Sequence, residues 1–449
     1  MSSALDSAVF RELFSSAAMR AVFSDENRTR KYLAFEAALA RVEGRLGVIP
    51  APAAAEIDRQ SRIENIDLAA LGRRTTAVGS PVIPLVDQLA AVCSDDFGQY
   101  CHWGATTQDV TDTATVLQLR EALALVEDDL GAISSALAAL AARFRDTPMA
   151  GRSNLQHAVP ITFGFKAAGW LDAIERHRER LAEIRPRILT GQFGGAVGTL
   201  ASLGSRGLEV QAALMAELDL AQPAIAWHTH RDRFAEAGWL IGLITGTLGK
   251  IATDVKLMMQ TEVGEAFEAF APGRGSSSTM PQKRNPVACN YILACASLVR
   301  QQVAALLEAM VEDHERATGT WQIEWVALPE IFLLGSGALG HARALVEGLH
   351  IDAQRMRANL DLTDGQILAE AVMMALAPAL GRERAHDLIY DICRRAVAES
   401  RPLIDLLTAE DAVSRHLDRA ALTSLLDPSN YLGLAGAMVD RVLAKVPRG

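Results

Sequence analysis

Three serines stand beside two cations in one short stretch, Gly273-Arg274-Gly275-Ser276-Ser277-Ser278-Thr279-Met280-Pro281-Gln282-Lys283-Arg284-Asn285-Pro286. Glycine and serine leave the backbone free to fold over a ligand, while Lys283 and Arg284 attract negative charge to it. The chemistry this permits is proton transfer by a hydroxyl at an anionic substrate. An ordinary serine is too weak an acid or base for that role, so it needs a nearby cation and N–H donors. The same composition also describes a flexible surface linker. The loop alone therefore does not define a site.

Two further polar clusters bear on the question. His102-Trp103-Gly104-Ala105-Thr106-Thr107-Gln108-Asp109 lies at the entrance of a long apolar-periodic segment. Its hydroxyls would either cap that helix or, with free N–H groups and the positive end of the helix dipole, hold a carboxylate. Ser153-Asn154-Leu155-Gln156-His157-Ala158-Val159-Pro160 places His157 just ahead of a proline that is expected to begin another helix. Histidine titrates near neutrality and is the usual proton-transfer candidate, although a lone histidine is more often structural. Arg231-Asp232-Arg233 and His314-Glu315-Arg316 add cations, with solvated charged turns as their plainer reading.

These clusters need a scaffold, and the chain is long and apolar enough to supply one. It has 449 residues, half of them hydrophobic, a net charge of −10 and a pI near 5.6. The acidic balance argues against general binding to nucleic acid or to anionic membranes, which require a basic face. Five cysteines, an odd number at no zinc-ligand spacing, indicate neither a disulfide framework nor a metal site. No secretion signal is visible, and the longest uncharged windows, 188–205 and 285–299, do not read as membrane spans. The expectation is a soluble cytoplasmic protein that binds neither nucleic acid nor membrane.

Proline is missing from residues 85–147, 187–222, 224–271, 287–328 and 330–377. An internal proline costs a helix about 3 kcal/mol, so these gaps leave room for long helices. From 112 to 146, Val116, Leu119, Leu123, Val126, Leu130, Ile133, Leu137, Leu140 and Phe144 alternate spacings of three and four, a coiled-coil-like seam. Segments 161–184, 228–263, 287–313 and 329–360 are helix-compatible partners for it. The expected fold is all-α: an elongated central bundle of about five long helices over 111–360, flanked by smaller helical domains at 1–110 and 361–449. The Gly-rich run 192–199 lacks the order and the βαβ context of a dinucleotide loop.

Taken in order, the threonine pair after His102-Trp103-Gly104, the segment Leu155-Gln156-His157-Ala158-Val159-Pro160, and the Ser-Ser-x-Met-Pro-x-Lys-x-Asn pattern ending at Asn285 resemble the fumarase/aspartase superfamily of lyases. The resemblance covers nearly the whole chain, and the last pattern is highly specific. It implies a homotetramer whose active sites each draw on three subunits, and β-elimination or its reverse on a small polycarboxylate without metal or organic cofactor. Within the superfamily the chain resembles the 3-carboxy-cis,cis-muconate cycloisomerase family, through segments such as Trp227-His228-Thr229-His230-Arg231-Asp232-Arg233 and Trp321-Gln322-Ile323-Glu324-Trp325. Some of these segments are also similar to adenylosuccinate lyase.

Two departures bear on the chemistry. Most superfamily members carry a catalytic histidine and a glutamate that pairs with it; the matching positions here are Asn154 and Asn290. Expelling an amine or hydroxide requires a proton on the leaving group, whereas a carboxylate of low basicity leaves without one. Loss of the pair therefore suits lactone chemistry, the intramolecular addition of a carboxylate to a diene in aromatic-acid breakdown. It counts against an adenylosuccinate-type C–N lyase; a lyase acting on another polycarboxylate and a non-catalytic member of the fold are the remaining alternatives. Ser276 stands where glycine is typical, and the alignment favours Ser277 as the reacting serine. The resemblance implies Ser277, Lys283 and His157 as catalytic residues, with His157 orienting substrate or assisting electrostatically. It implies Thr106, Thr107, Gln108, Gln156, Asn285, Arg231 and Arg316 as substrate-binding residues, and closure of the 273–286 loop over the substrate.

Overall fold

The computed structural model describes residues 3–269, 275, 279–280 and 282–446. Ser277 and its neighbours Ser276 and Ser278 lie outside the described residues. Seven helices carry the account: α1 (Asp25–Leu46), α2 (Leu68–Val78), α3 (Thr107–Arg143), α4 (Phe163–Ile188), α5 (Asp232–Met258), α6 (Val287–Ala309) and α7 (Trp321–Glu347). The last five are the long helices expected from the proline gaps, and the helical fold class holds.

α3 runs for 37 residues and starts at Thr107, five residues before the apolar seam is legible. All nine seam residues are buried, from Val116 at 0% exposure to Phe144 at 9%. Burying each such side chain stabilises the fold by roughly 1.5–3 kcal/mol, more than helix propensity supplies over the same length. α1 begins at Ser24, whose side chain accepts from the Asn27 N–H, and ends at Gly47 in the left-handed conformation, φ +69°.

α7 departs from expectation at its start. Pro329 was expected to open the helix, yet it lies inside α7, two turns after Trp321. The neighbouring Ala327, Leu328, Ile331 and Phe332 are buried at 0–1% exposure, and that burial outweighs the single backbone hydrogen bond proline removes. On length and composition alone, α6 and α7 could each cross a bilayer; 61% of the apolar window in α7 is buried within the protein, against 33% in α6.

The chain divides into two compact units. The first comprises 1–130, 177–248 and 291–341; the second comprises 131–176, 249–290 and 342–449. Each of the five long helices contributes a segment to both.

The second unit contains an element that the helical reading misses. β1 (Pro148–Ser153) and β2 (Gln156–Thr162) pair antiparallel, with Ser153 opposite Gln156 and a register irregularity between Ala150 and Gly151. Asn154 and Leu155 form the two-residue turn, both with positive φ, +51° and +64°. Such turns match the twist of the strands they join. His157 therefore lies on a strand, not at a helix entrance: Pro160 sits within β2, and α4 begins only at Phe163. The C-terminal part of this unit has its own core, including Val372, Leu376, Ile389, Leu403, Leu407 and Leu422.

Candidate active site

In the first unit the α3 N-terminus is tied together by Asp109. The Thr106 N–H donates to Asp109 Oδ2 at 2.9 Å, so the carboxylate three residues on caps the helix. Asp109 is fully buried, and it also accepts from the Gly194 and Gly195 N–H groups, each at 2.9 Å, and from His228 Nε2 at 2.8 Å. The Gly-rich run thus wraps a carboxylate of its own chain. Gly195 adopts φ +71°, and a Cβ on Gly194 would lie 3.0 Å from the Gly198 backbone. The segment before the cap is fixed by Glu36, which accepts from the His102 N–H at 3.1 Å and meets its ring Nδ1 at 2.7 Å. Burial alone would depress the His102 pKa; the Glu36 carboxylate overrides it and raises the value.

The Thr106 hydroxyl meets a residue far along the chain. Arg316 donates from Nη1 to Thr106 Oγ1 at 3.0 Å and to the Ala196 carbonyl at 3.0 Å, and from Nε to Gln108 Oε1 at 2.9 Å. Among the described residues Nη2 has no hydrogen-bond partner in the protein. A guanidinium held on one edge with its other edge open is a receptor for a carboxylate. Arg316 thus belongs to this cluster rather than to a solvated turn. Glu312, one helical turn's length earlier in sequence, has both carboxyl oxygens buried without a partner among the described residues. Burial, opposed by Arg231, pushes its pKa up to about 7.

Two residues expected to touch substrate do not have the freedom to do so. Gln108 is 1% exposed, donates to the His228 carbonyl at 2.7 Å and accepts from Arg316, so it positions Arg316. Arg231 is 2% exposed. Its guanidinium forks onto Asp112 at 2.8 and 2.9 Å and onto Glu324 at 2.9 and 2.5 Å, while stacking near Trp227 and Phe234. With all its charge engaged inside the protein, Arg231 is a structural cation and not a substrate receptor.

In the second unit, His157 stands opposite Arg152 across the hairpin. Arg152 forks onto Glu265 at 2.7 and 2.8 Å, and Asn359 donates to the same carboxylate at 2.8 Å. Burial and the adjacent Arg152 lower the His157 pKa, against a smaller opposing effect of Glu265. The imidazole is therefore neutral at pH 7, able to accept or donate a hydrogen bond. Gln156 is exposed, and Asn154 reaches only Ser153 Oγ, at 3.4 Å. The signature segment leads into α6, whose first N–H groups, from Ala288 and Cys289, donate to Glu268 at 3.0 and 2.9 Å. The Asn285 N–H donates to the Gly275 carbonyl at 3.0 Å. Lys283 is exposed and forms no ion pair among the described residues; Asn290 is exposed on the first turn of α6.

Sequence reasoning did not single out Asp109, His228, Glu36 or Glu265 as supports. Asp109 carried a signal, since a threonine followed three residues later by an acid marks a capping box. Nothing in the local sequence marks what Glu36, His228 or Glu265 holds.

Residues 14–300 match the lyase family, and residues 365–442 match the adenylosuccinate lyase C-terminus. The chain belongs to this lyase family. It is a member of the fumarase/aspartase superfamily. The 3-carboxy-cis,cis-muconate cycloisomerase of Pseudomonas aeruginosa is 51% identical over 440 residues, 97% of this chain and 96% of that one. Trans-aconitate decarboxylase 1 of Mycosarcoma maydis is 52% identical over 434 residues, 97% of this chain and 88% of that one. The crystal structure of 3-carboxy-cis,cis-muconate lactonizing enzyme from Pseudomonas putida matches this lyase with a TM-score of 0.93 and 48% identity, covering 98% of each chain.

Proposed function

We propose that this lyase converts 3-carboxy-cis,cis-muconate to 4-carboxymuconolactone. The observation that carries the reading is the pair Asn154 and Asn290, which removes the acid–base dyad from a scaffold that otherwise keeps the superfamily pattern. The cycloisomerase and lactonizing-enzyme relatives, near 50% identical over almost their full lengths, support it. One substrate carboxylate oxygen attacks an alkene carbon and forms the C–O bond. The displaced electron pair passes into a neighbouring carboxylate as an enediolate-like intermediate, and a proton is delivered to carbon. The nucleophile is already in the molecule, so positioning and charge stabilisation supply most of the acceleration.

Arg316, with the Thr106 and Thr107 hydroxyls, holds one carboxylate; Lys283 and Asn285 hold another, with Gln156 and the neutral His157 orienting the substrate. Ser277 is assigned the proton delivered to carbon, with Lys283 favouring its ionised form. We infer an N-terminal helical domain over 1–110, a central long-helix bundle over 111–360 and a C-terminal helical domain over 361–449.

The enzyme acts as a homotetramer with active sites drawing on three subunits. Leu298, Leu307, Val311 and Val326, exposed at 47–71% on or beside α6 and α7, support that assembly. Five free cysteines fit a cytoplasmic setting.

A second reading is favoured by the equally similar trans-aconitate decarboxylase. Its named substrate is also an unsaturated tricarboxylate. Breaking a C–CO2 bond leaves the same kind of carboxylate-stabilised carbanion to be protonated. Parallel incubations separate the two: lactone from the muconate without CO2 supports the first reading, and CO2 from trans-aconitate with an inert muconate replaces it with the second. Sedimentation velocity tests the tetramer, which a monomeric species at micromolar concentration would contradict.

A further inference from the structure

A cavity of about 330 Å³ lies wholly within the first unit, walled by α1, α2, α3 and α7. It shares no lining residue with the Thr106, Gln108 and Arg316 cluster. Its walls are unusually aromatic. Trp321 and Trp325, one turn apart on α7, meet edge to face with ring centroids 5.0 Å apart and planes at 79°. Phe23, Tyr32 and Phe234 continue this surface, with Leu68, Leu71 and Leu328 between them.

The polar groups of the wall sort themselves by what they already hold. The hydroxyls of Thr29, Thr75 and Thr115 each donate back to a carbonyl of their own helix, at 2.7, 2.8 and 2.8 Å. The Gln118 amide donates to the Val22 carbonyl at 2.7 Å. The carboxylates of Asp112 and Glu324 are both taken by the Arg231 fork. Arg28 differs. Among the described residues it forms no ion pair, and its Nε is buried without a hydrogen-bond partner. The phenol of Tyr32, pushed up to about 12 by burial, stays neutral and cannot balance the guanidinium; Asp25, the wall carboxylate outside the Arg231 fork, is exposed to solvent. A cation with an unfilled donor at the edge of an aromatic wall requires an anion, and the wall requires apolar, planar bulk.

We propose that this cavity is a second ligand site, for a small aromatic monocarboxylate whose carboxylate pairs with Arg28 and whose ring packs in the Trp321–Trp325 corner. A single guanidinium matches a single carboxylate; a tricarboxylate would place two charges against indole and leucine. The volume is at the lower end of ordinary small-molecule sites and suits a one-ring acid.

Benzoate is the probe, titrated calorimetrically into the full-length protein, with benzamide as its uncharged counterpart. Saturable benzoate binding is expected, with benzamide at least about tenfold weaker, the worth of a charge-assisted hydrogen bond. Arg28→Met should lose benzoate by a similar factor, and Arg316→Gln should retain it. Equal binding of benzamide, absence of benzoate binding, or loss of benzoate in Arg316→Gln would overturn the proposal. The benzamide comparison uses the unmodified protein and stands even if Arg28→Met folds poorly.

Discussion

Arg316 donates to the Thr106 hydroxyl at 3.0 Å across 210 residues of sequence. The Thr106 backbone N–H is held separately, by the Asp109 carboxylate. A long cation on a loop is thereby fixed through Nε and Nη1. In its proposed role Arg316 meets the substrate carboxylate with rotamer freedom already lost before binding, which lowers the entropy cost of association.

Arg316→Gln should lower kcat/KM for the muconate by roughly 10- to 100-fold, the equivalent of about 1.5–3 kcal/mol for a hydrogen bond to a charged group. Gln108→Leu should act in the same direction but more weakly, since it frees Arg316 without removing it. Steady-state kinetics read both. A Gln108→Leu defect exceeding that of Arg316→Gln would mean that Gln108 touches substrate after all.

Arg231 lends itself to a different measurement. Arg231→Met leaves Asp112 and Glu324 buried and unpaired, and should destabilise the protein by about 3–5 kcal/mol. Urea unfolding followed by circular dichroism gives the number. The fraction that remains folded should bind substrate with an unchanged KM, which is the readout a carboxylate receptor would not satisfy.

Stability should fall as pH rises, through two groups around Glu36. The Glu43 carboxyl is fully buried with neither oxygen partnered among the described residues, and burial together with Glu36 raises its pKa to about 8. The folded state therefore keeps a proton that the unfolded chain releases near its ordinary value of 4.5, so stability drops between about pH 4.5 and pH 8. His102, its pKa raised by Glu36 against burial, contributes stability that is complete below the unfolded value of 6.5 and is lost as pH rises through the folded one. Thermal melts of Glu43→Gln across this range should be flatter than those of the unmodified protein; an unchanged slope would place the titration elsewhere.

Much of this architecture was legible in the sequence because it follows from periodicity. The α3 seam from Val116 to Phe144 buries as its spacing requires, and the Ser24 and Gly47 ends of α1 carry their usual capping residues. His157 was placed on the wrong kind of element. Its hairpin turn uses Asn154 and Leu155, and leucine at positive φ hides a turn that an Asn-Gly pair would have announced. Arg231 and Gln108 were read as ligands because a sequence shows charge and polarity but not what already satisfies them. Arg231 meets partners 119 and 93 residues away, and no local pattern encodes that pairing. Arg316 came from resemblance, and the structure supplied its reason in Thr106.

The most direct measurement is the decay of diene absorbance when the purified protein is mixed with 3-carboxy-cis,cis-muconate, run beside Ser277→Ala. The account predicts rapid decay with a lactone in the proton NMR spectrum for the unmodified protein. For a Ser277→Ala protein of the same oligomeric state, it predicts a rate at least about a hundredfold lower, within the range for removing a positioned proton donor. Persistence of the diene with the unmodified protein, or full activity in Ser277→Ala, would contradict it.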